Sequence, residues 1–203
     1  MLVFLALALF VGGPLVATGV TGVLVFDVLF SFLLVTGVFA VSPRRSLVIG
    51  ISALTLTTLV LRWASFSGAA LGLLDAAFSI LSLSVLTALV LREVFRDGPV
   101  TGYRIQGAVA VYLLLGMNWT LAYEMLLRIR PDAFAFSHAE PHWTHGLWYF
   151  SFVTLTTVGY GDITPIHPAA RSLAIAEALV GQLYPAILIA RLVSLEIISR
   201  ERR

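Results

Sequence analysis

The chain lacks cysteine and has few charged residues, and each absence excludes a class of protein. Without cysteine it has no disulfide and no thiolate metal site. Charged residues make up 12% of the 203 positions, about half the share of an average soluble domain. Hydrophobic residues make up 59%, and the mean hydropathy is +0.97. Such a chain would expose too much apolar surface in water, so it belongs in a lipid bilayer. The net charge of +2 gives no indication of a nucleic-acid partner.

Long apolar runs predict an all-α integral membrane protein with about six transmembrane helices, since one span needs about 20 apolar residues. Residues Leu2 to Val41 are enough for two spans, with a break near residues 19–22. The other four predicted spans are Ser46–Trp63, Ala69–Leu91, Tyr103–Leu127 and Pro168 to about Ser199. A Gly-Gly-Pro sequence at residues 12–14 leaves open whether residues 1–20 make a full span. A cleaved signal peptide is the alternative for that segment.

A short segment before the last span has a different character. Residues His145 to Thr157 are too few to cross a bilayer and predict a re-entrant helix. In the sequence that follows, Gly159 and Gly161 alternate with larger residues, and glycine allows the backbone to take positive φ angles. Successive carbonyl groups can then point the same way. Irregular backbone of this kind is tolerated at membrane depth only where it lines a water-filled path.

The sequence Thr157-Val158-Gly159-Tyr160-Gly161 resembles, residue for residue, the selectivity filter of the potassium channel family. Such filters replace the hydration shell of K⁺ with rings of backbone carbonyl oxygens. The resemblance implies that these five residues form the K⁺-binding filter. The metal ligands would be the carbonyl oxygens of the first four residues and the Thr157 hydroxyl at the innermost site. The competing interpretation is an ordinary glycine-rich turn.

The same resemblance assigns supporting roles around the filter. Asp162 would lie just outside the filter and brace it, together with Trp148 and Tyr149 of the re-entrant helix. Tyr160 would point away from the pore toward these aromatic residues. In the last helix, Gly181 and Pro185 resemble a hinge. The alternative for Gly181 is close helix packing, as small residues allow in membranes.

The family resemblance also predicts the domain organisation and the assembly. Residues 1–98 would form a four-helix membrane region, and residues 99–203 a pore module of outer helix, pore helix, filter and inner helix. Because one chain supplies one filter segment, the expected unit is a homotetramer embedded in membrane lipid. K⁺ is the permeant ion, and no organic cofactor, organic substrate or nucleic acid is implied. No arrangement of catalytic residues is present, so we predict that the protein is not an enzyme.

The arginines predict the orientation, because basic residues favour the cytoplasmic side of short loops. With an even number of spans, eight arginines fall on one side and four on the other. The eight are Arg44, Arg45, Arg92, Arg96, Arg104, Arg200, Arg202 and Arg203, and the four are Arg62, Arg128, Arg130 and Arg171. This distribution predicts a multi-pass protein of the cell membrane with both termini in the cytoplasm.

The expected function is passive, K⁺-selective conduction without a voltage sensor. A voltage sensor needs several arginines in its fourth helix, and Ala69–Leu91 contains none. Two alternatives stay open, a weakly selective cation channel and a non-conducting accessory subunit. A carrier is disfavoured, because carriers have paired broken helices in internal repeats.

Several polar residues are left without an assigned role. Asp27 and Asp75 could bind an ion or pair across helices, or could have an interfacial or hydrogen-bonded structural role, which is the favoured interpretation for Asp27. Glu177 could brace the filter or pair with Arg171 or Arg191. The outer-loop histidines could bind a metal or sense pH, although solvated loop residues are the favoured interpretation. These histidines are His138, His142 and His145.

Overall fold

A computed structural model describes residues 2–7, 20–41, 45–64, 69–98, 100–137 and 143–201. The Gly-Gly-Pro sequence at residues 12–14 lies outside the described residues, as do His138 and His142. His145 lies in a described helix, but its side chain is not described. The predictions that concern these residues are therefore not tested by the structure.

Helices account for most of the described residues, and two short strands flank the filter segment. The helices are α1 (Leu2–Leu7), α2 (Val20–Val41), α3 (Arg45–Ala64), α4 (Ala69–Val94), α5 (Gly102–Ile129), α6 (Trp143–Leu155) and α7 (Pro168–Glu201). The strands are β1 (Phe134–Phe136) and β2 (Ile163–Pro165). The protein is an all-α membrane protein, as the composition predicts.

Among the described residues, three helices are long and apolar enough to cross a membrane. They comprise residues Leu71–Val94, Gly102–Ile129 and Pro168–Ile197. Shorter apolar stretches occur in α2 and α3, at Asp27–Gly37 and Ile49–Ala64. The three spans coincide with the last three predicted ones, whereas the total of six stays a prediction.

Local sequence signals explain where the helices of the pore region begin. The Thr101 side chain accepts a hydrogen bond from the backbone N–H of Arg104 at the start of α5, as N-cap residues do. Pro168 occupies the first turn of α7, where its missing N–H is not needed. The ring nitrogen Nδ1 of His167 accepts from the backbone N–H of Ala169, 3.1 Å away.

The main apolar core lies where α2, α4 and α5 meet α6. Phe30, Leu33, Leu83 and Leu114 are fully buried there, and Trp148 of α6 joins the same cluster. This arrangement places the re-entrant helix against the outer helix α5.

A second, aromatic cluster lies next to the filter segment. The rings of Tyr123, Phe134 and Phe150 contact one another edge to face, with centroids 5.1–5.6 Å apart. Ile163 of β2 belongs to the same cluster. Pairs in this geometry contribute about 0.5–1.5 kcal/mol beyond their buried area.

The two strands form an antiparallel ladder that the sequence analysis did not predict. Ala135 pairs with Thr164, and Phe136 pairs with Ile163. The ladder is extended by the N–H of Ser137, which donates to the carbonyl of Asp162 at 2.9 Å. The loop after α5 is therefore attached to the segment that directly follows the filter.

A buried charge cluster joins α2, α3 and α4. Nη2 of Arg62 lies 2.6 Å from Oδ1 of Asp27, and Nη1 lies 3.9 Å from Oδ2 of Asp75. The guanidinium also lies 4.6 Å from the centroid of the Phe30 ring. Both acids thus pair across helices, which was one of the alternatives and not the one favoured for Asp27. Among the described residues no group of three or more metal-binding side chains is arranged to hold a metal ion.

We predict that Arg62→Met strongly destabilises the protein, because the change leaves Asp27 and Asp75 buried without their partner. The expected loss is about 3–5 kcal/mol of unfolding free energy, measured by thermal unfolding of the purified protein in detergent. Arg96→Met is the matched control, since Arg96 and Glu93 form an ion pair whose side chains are 71% exposed. Its expected cost is below about 1 kcal/mol. Equal losses in the two variants would contradict this interpretation of the cluster.

Candidate functional site

The filter segment has an alternating backbone conformation. Thr157, Gly159 and Gly161 have φ angles of 60°, 55° and 81°, whereas Val158 and Tyr160 are not in the positive-φ region. When residues with left-handed and right-handed backbone conformations alternate, successive carbonyl groups turn toward the same side. A left-handed conformation costs an L-residue about 1–2 kcal/mol, so Thr157 is a strained position.

Three amide N–H groups of the filter segment donate hydrogen bonds to carbonyl groups at the end of α6. The N–H of Thr157 donates to the carbonyl of Thr154 at 2.9 Å. The N–H groups of Val158 and Gly159 both donate to the carbonyl of Val153, at 2.9 and 3.3 Å. Within the described part of the chain, the carbonyl oxygens of residues 157–160 accept no hydrogen bond. The segment therefore presents a row of exposed oxygen atoms.

The direction of α6 also favours a cation near the carbonyl oxygens of residues 157–160. The helix ends at Leu155, two residues before the first filter residue. The prediction extended the helix to Thr157, but Thr156 and Thr157 form a turn. Because the C-terminal end of a helix carries partial negative charge, it favours a cation at the base of the filter.

Tyr149 supports the outer end of the filter. Its ring stacks on Tyr160, with centroids 6.3 Å apart and planes inclined by 7°. Its hydroxyl group lies near the Asp162 carboxylate. Trp148, the other aromatic residue that was assigned to bracing, stacks on Phe152 and packs into the main core. It is thus Tyr149, and not Trp148, that stacks on Tyr160.

A buried carboxylate lies behind the filter. Glu177 of α7 is fully buried and accepts from the hydroxyl groups of Ser151 in α6 at 2.6 Å and Tyr123 in α5 at 2.5 Å. These two hydrogen bonds hold together the three helices that surround the filter. Glu177 was recognisable in the sequence, but its partners Ser151 and Tyr123 were not, because single hydroxyl groups in apolar helices give no recognisable pattern.

Gly181 permits close contact between α7 and the end of α6. A Cβ atom at this position would lie 1.9 Å from the carbonyl oxygen of Leu155. The same oxygen accepts a hydrogen bond from the Tyr112 hydroxyl at 3.2 Å. The helix continues without a break through Gly181 and Pro185. Close packing explains the glycine in this conformation, and the hinge stays a prediction.

Two further contacts of α7 were not predicted. The side-chain amide of Gln182 donates to the Thr157 hydroxyl at 2.8 Å. Arg191 forms an ion pair with Asp97 in the turn after α4, with 2.5 Å between Nη2 and Oδ1. The inner helix therefore contacts the filter at one level and the N-terminal helices at another.

Comparison with known proteins finds matches in the part of the chain that contains the filter segment. Residues 105–196 match a family described as "Ion channel". This part of the chain is therefore similar to an ion channel domain. The matched residues include most of α5, all of α6, the filter segment and most of α7.

Individual relatives match shorter parts of the chain. "Two pore potassium channel c" of Oryza sativa subsp. japonica is 37% identical over 83 residues, which are 41% of this chain and 17% of that relative. "Protein LctB" of Bacillus caldotenax is 56% identical over 45 residues, or 22% of this chain and 33% of the relative. "Protein LctB" of Geobacillus stearothermophilus is 51% identical over the same length. The matched segments thus cover a third or less of each relative, and no solved structure matches the chain.

We predict that Gly181→Ala destabilises the packing of α7 against α6, because its methyl group would overlap the Leu155 carbonyl. Overpacking of this kind costs about 1–3 kcal/mol, which thermal unfolding in detergent measures. Gly50→Ala is the control, since a Cβ at Gly50 of α3 has no neighbour within 4 Å. Alanine there should be neutral or stabilise by up to about 1 kcal/mol. If both variants unfold at the same temperature, the close contact does not govern stability.

We also predict that Tyr123→Phe lowers stability by about 1–3 kcal/mol, since it leaves the buried Glu177 carboxyl with one hydrogen bond fewer. Tyr103→Phe removes the same hydroxyl group from a side chain that is 87% exposed. This control should change the free energy of unfolding by no more than about 0.5 kcal/mol. A loss confined to Tyr103→Phe would be the opposite of the expected result.

Proposed function

We propose that the protein is a K⁺-selective channel that conducts passively through a pore formed by four copies of the chain. The observation that supports this proposal most directly is the row of unengaged carbonyl oxygens at residues 157–160. The amides of Thr157, Val158 and Gly159 are bonded to the end of α6, and no described donor engages the carbonyl oxygens of residues 157–160, which are therefore available to an ion. Backbone carbonyl rings are the ligands that replace the hydration shell of K⁺ in such filters.

The identity of the filter residues supports K⁺ over a broader range of cations. Val158 and Tyr160 are both present, so the filter sequence resembles that of the potassium channel family without a substitution. The name of one relative is also that of a potassium channel. The proposed ligands are the carbonyl oxygens of Thr157, Val158, Gly159 and Tyr160 and the Thr157 hydroxyl.

Four copies are proposed because a single chain supplies only one side of a carbonyl ring. The exposure of α7 supports association. Only 11% of the span Pro168–Ile197 is buried in the protomer, compared with 44% for the spans in α4 and α5. Lipid and neighbouring copies would cover the exposed apolar side chains, among them Leu179, Leu183 and Ile187.

The proposed location is the cell membrane, with both termini in the cytoplasm, which the distribution of arginines supports. Gating by a series of arginines in α4 is not proposed, because residues 69–91 contain none. The ion pair between Arg191 and Asp97 joins α7 to the N-terminal region and supports a role for that region in the state of the pore.

The proposal predicts that purified protein in liposomes releases K⁺ down a gradient and does not release Na⁺. Equal release of both ions would favour a weakly selective cation channel. Absence of release for either ion from the intact assembly would favour an accessory subunit.

Gly159→Ala should abolish most of the K⁺ flux and leave the assembly intact. A Cβ at Gly159 meets nothing within 4 Å, so the effect would come from its φ angle of +55° alone. A cost of about 1–2 kcal/mol per chain corresponds to roughly tenfold fewer conducting filters for each chain affected. Gly102→Ala is the control, since Gly102 also has free space but no positive φ. Unchanged K⁺ flux in Gly159→Ala would contradict the carbonyl-filter mechanism.

A further inference from the structure

The side chain of Gln182 lies at the inner end of the filter, where it contacts the hydroxyl group of Thr157. Its Nε2 is 2.8 Å from Oγ1 of Thr157. Sequence analysis assigned no role to Gln182, and its contact with Thr157 joins the inner helix directly to the first filter residue.

The fold determines this contact from both sides. On α7, Gly181 fits against the carbonyl of Leu155, which fixes how far the helix is from the end of α6. The next side chain, Gln182, is thereby held within reach of Thr157. On the filter, the N–H of Thr157 is fixed by its bond to the carbonyl of Thr154 at 2.9 Å.

The hydrogen bond restricts what the Thr157 hydroxyl can do. A hydroxyl oxygen has one hydrogen and two lone pairs. Because the amide of Gln182 donates to one lone pair, the orientation of the hydroxyl group is restricted, and the second lone pair remains available to a cation. Thr157 also holds a strained φ of 60°, so an additional partner helps to retain this conformation.

The surroundings of Gln182 favour a position facing water. Its side chain is exposed in the protomer, between the exposed apolar residues Leu179 and Leu183. A side-chain amide that faces lipid without full hydrogen bonding is costly, in the range of several kcal/mol for the least favourable case. A water-filled path at the filter entrance would satisfy the remaining amide groups.

We infer that Gln182 is a positioning residue that sets the ion preference of the innermost filter site by holding the Thr157 hydroxyl as a ligand. The inference rests on the proposed function as a K⁺ channel. It extends that proposal to a side chain outside the filter motif. Gln182 would discriminate between monovalent cations of similar size by placing one oxygen atom, the Thr157 hydroxyl, in each chain.

The test compares K⁺ and Rb⁺ fluxes through the full chain in liposomes. Gln182→Met keeps the length and helix preference of the side chain but removes the donor. The ratio of K⁺ to Rb⁺ flux should change by about two- to tenfold, the range that corresponds to the net contribution of one hydrogen bond. Gln106→Met is the matched control in α5, where Gln106 is also exposed, and its ratio should equal that of the wild type.

A double-mutant cycle separates positioning from general support of the structure. Thr157→Val removes the hydroxyl group, and Gln182→Met should then have no additional effect on the ratio if both act through one contact. A merely structural role would lower the amount of assembled protein and leave the ratio unchanged. If Gln182→Met does not assemble, Gln182→Leu provides the same test.

The outcomes distinguish the inference from the proposed function. A wild-type channel that conducts K⁺, combined with an unchanged ratio in the Gln182 variants or with additive effects in the cycle, overturns the inference alone. Absence of K⁺ flux in the wild type overturns the proposed function and the inference together.

Discussion

The structure of the filter depends on where its amide hydrogens are bonded. The end of α6 accepts the N–H groups of Thr157, Val158 and Gly159, which a regular helix would have bonded within itself. These donors turn back toward Val153 and Thr154, whereas the carbonyl oxygens of residues 157–160 have no hydrogen-bond donor among the described residues. Alternating φ angles make this arrangement possible, and glycine reduces its conformational cost.

The neighbouring helices hold this irregular segment by a few polar contacts and close approaches. Glu177 joins α5, α6 and α7 through two hydroxyl groups, and Gly181 lets α7 reach the Leu155 carbonyl. At the outer end, Tyr149 and the antiparallel ladder fix the residues that follow the filter. Polar groups are few in this chain, and those near the filter are used to join elements that are distant in sequence.

The sequence predicted the helices well, because the length of an apolar run is a local property. The outer helix was expected at Tyr103–Leu127 and is observed at Gly102–Ile129. The filter motif was recognisable for the same reason, since its five residues are contiguous. The ladder between β1 and β2 and the contacts of Gln182 and Ser151 could not be predicted. Each of them joins residues more than 20 positions apart, and each uses residue types that occur throughout the chain.

The ion pair between Arg191 and Asp97 has a consequence for how the two halves of the protein communicate. The Asp97 side chain is 92% exposed, so the attraction is screened by dissolved ions. An exposed pair contributes no more than about 1 kcal/mol, and thermal motion therefore opens and closes it readily. The C-terminal part of α7 is thus attached to the turn after α4 by a weak and reversible ion pair. The attraction between Arg191 and Asp97 weakens as the salt concentration on that face of the membrane rises.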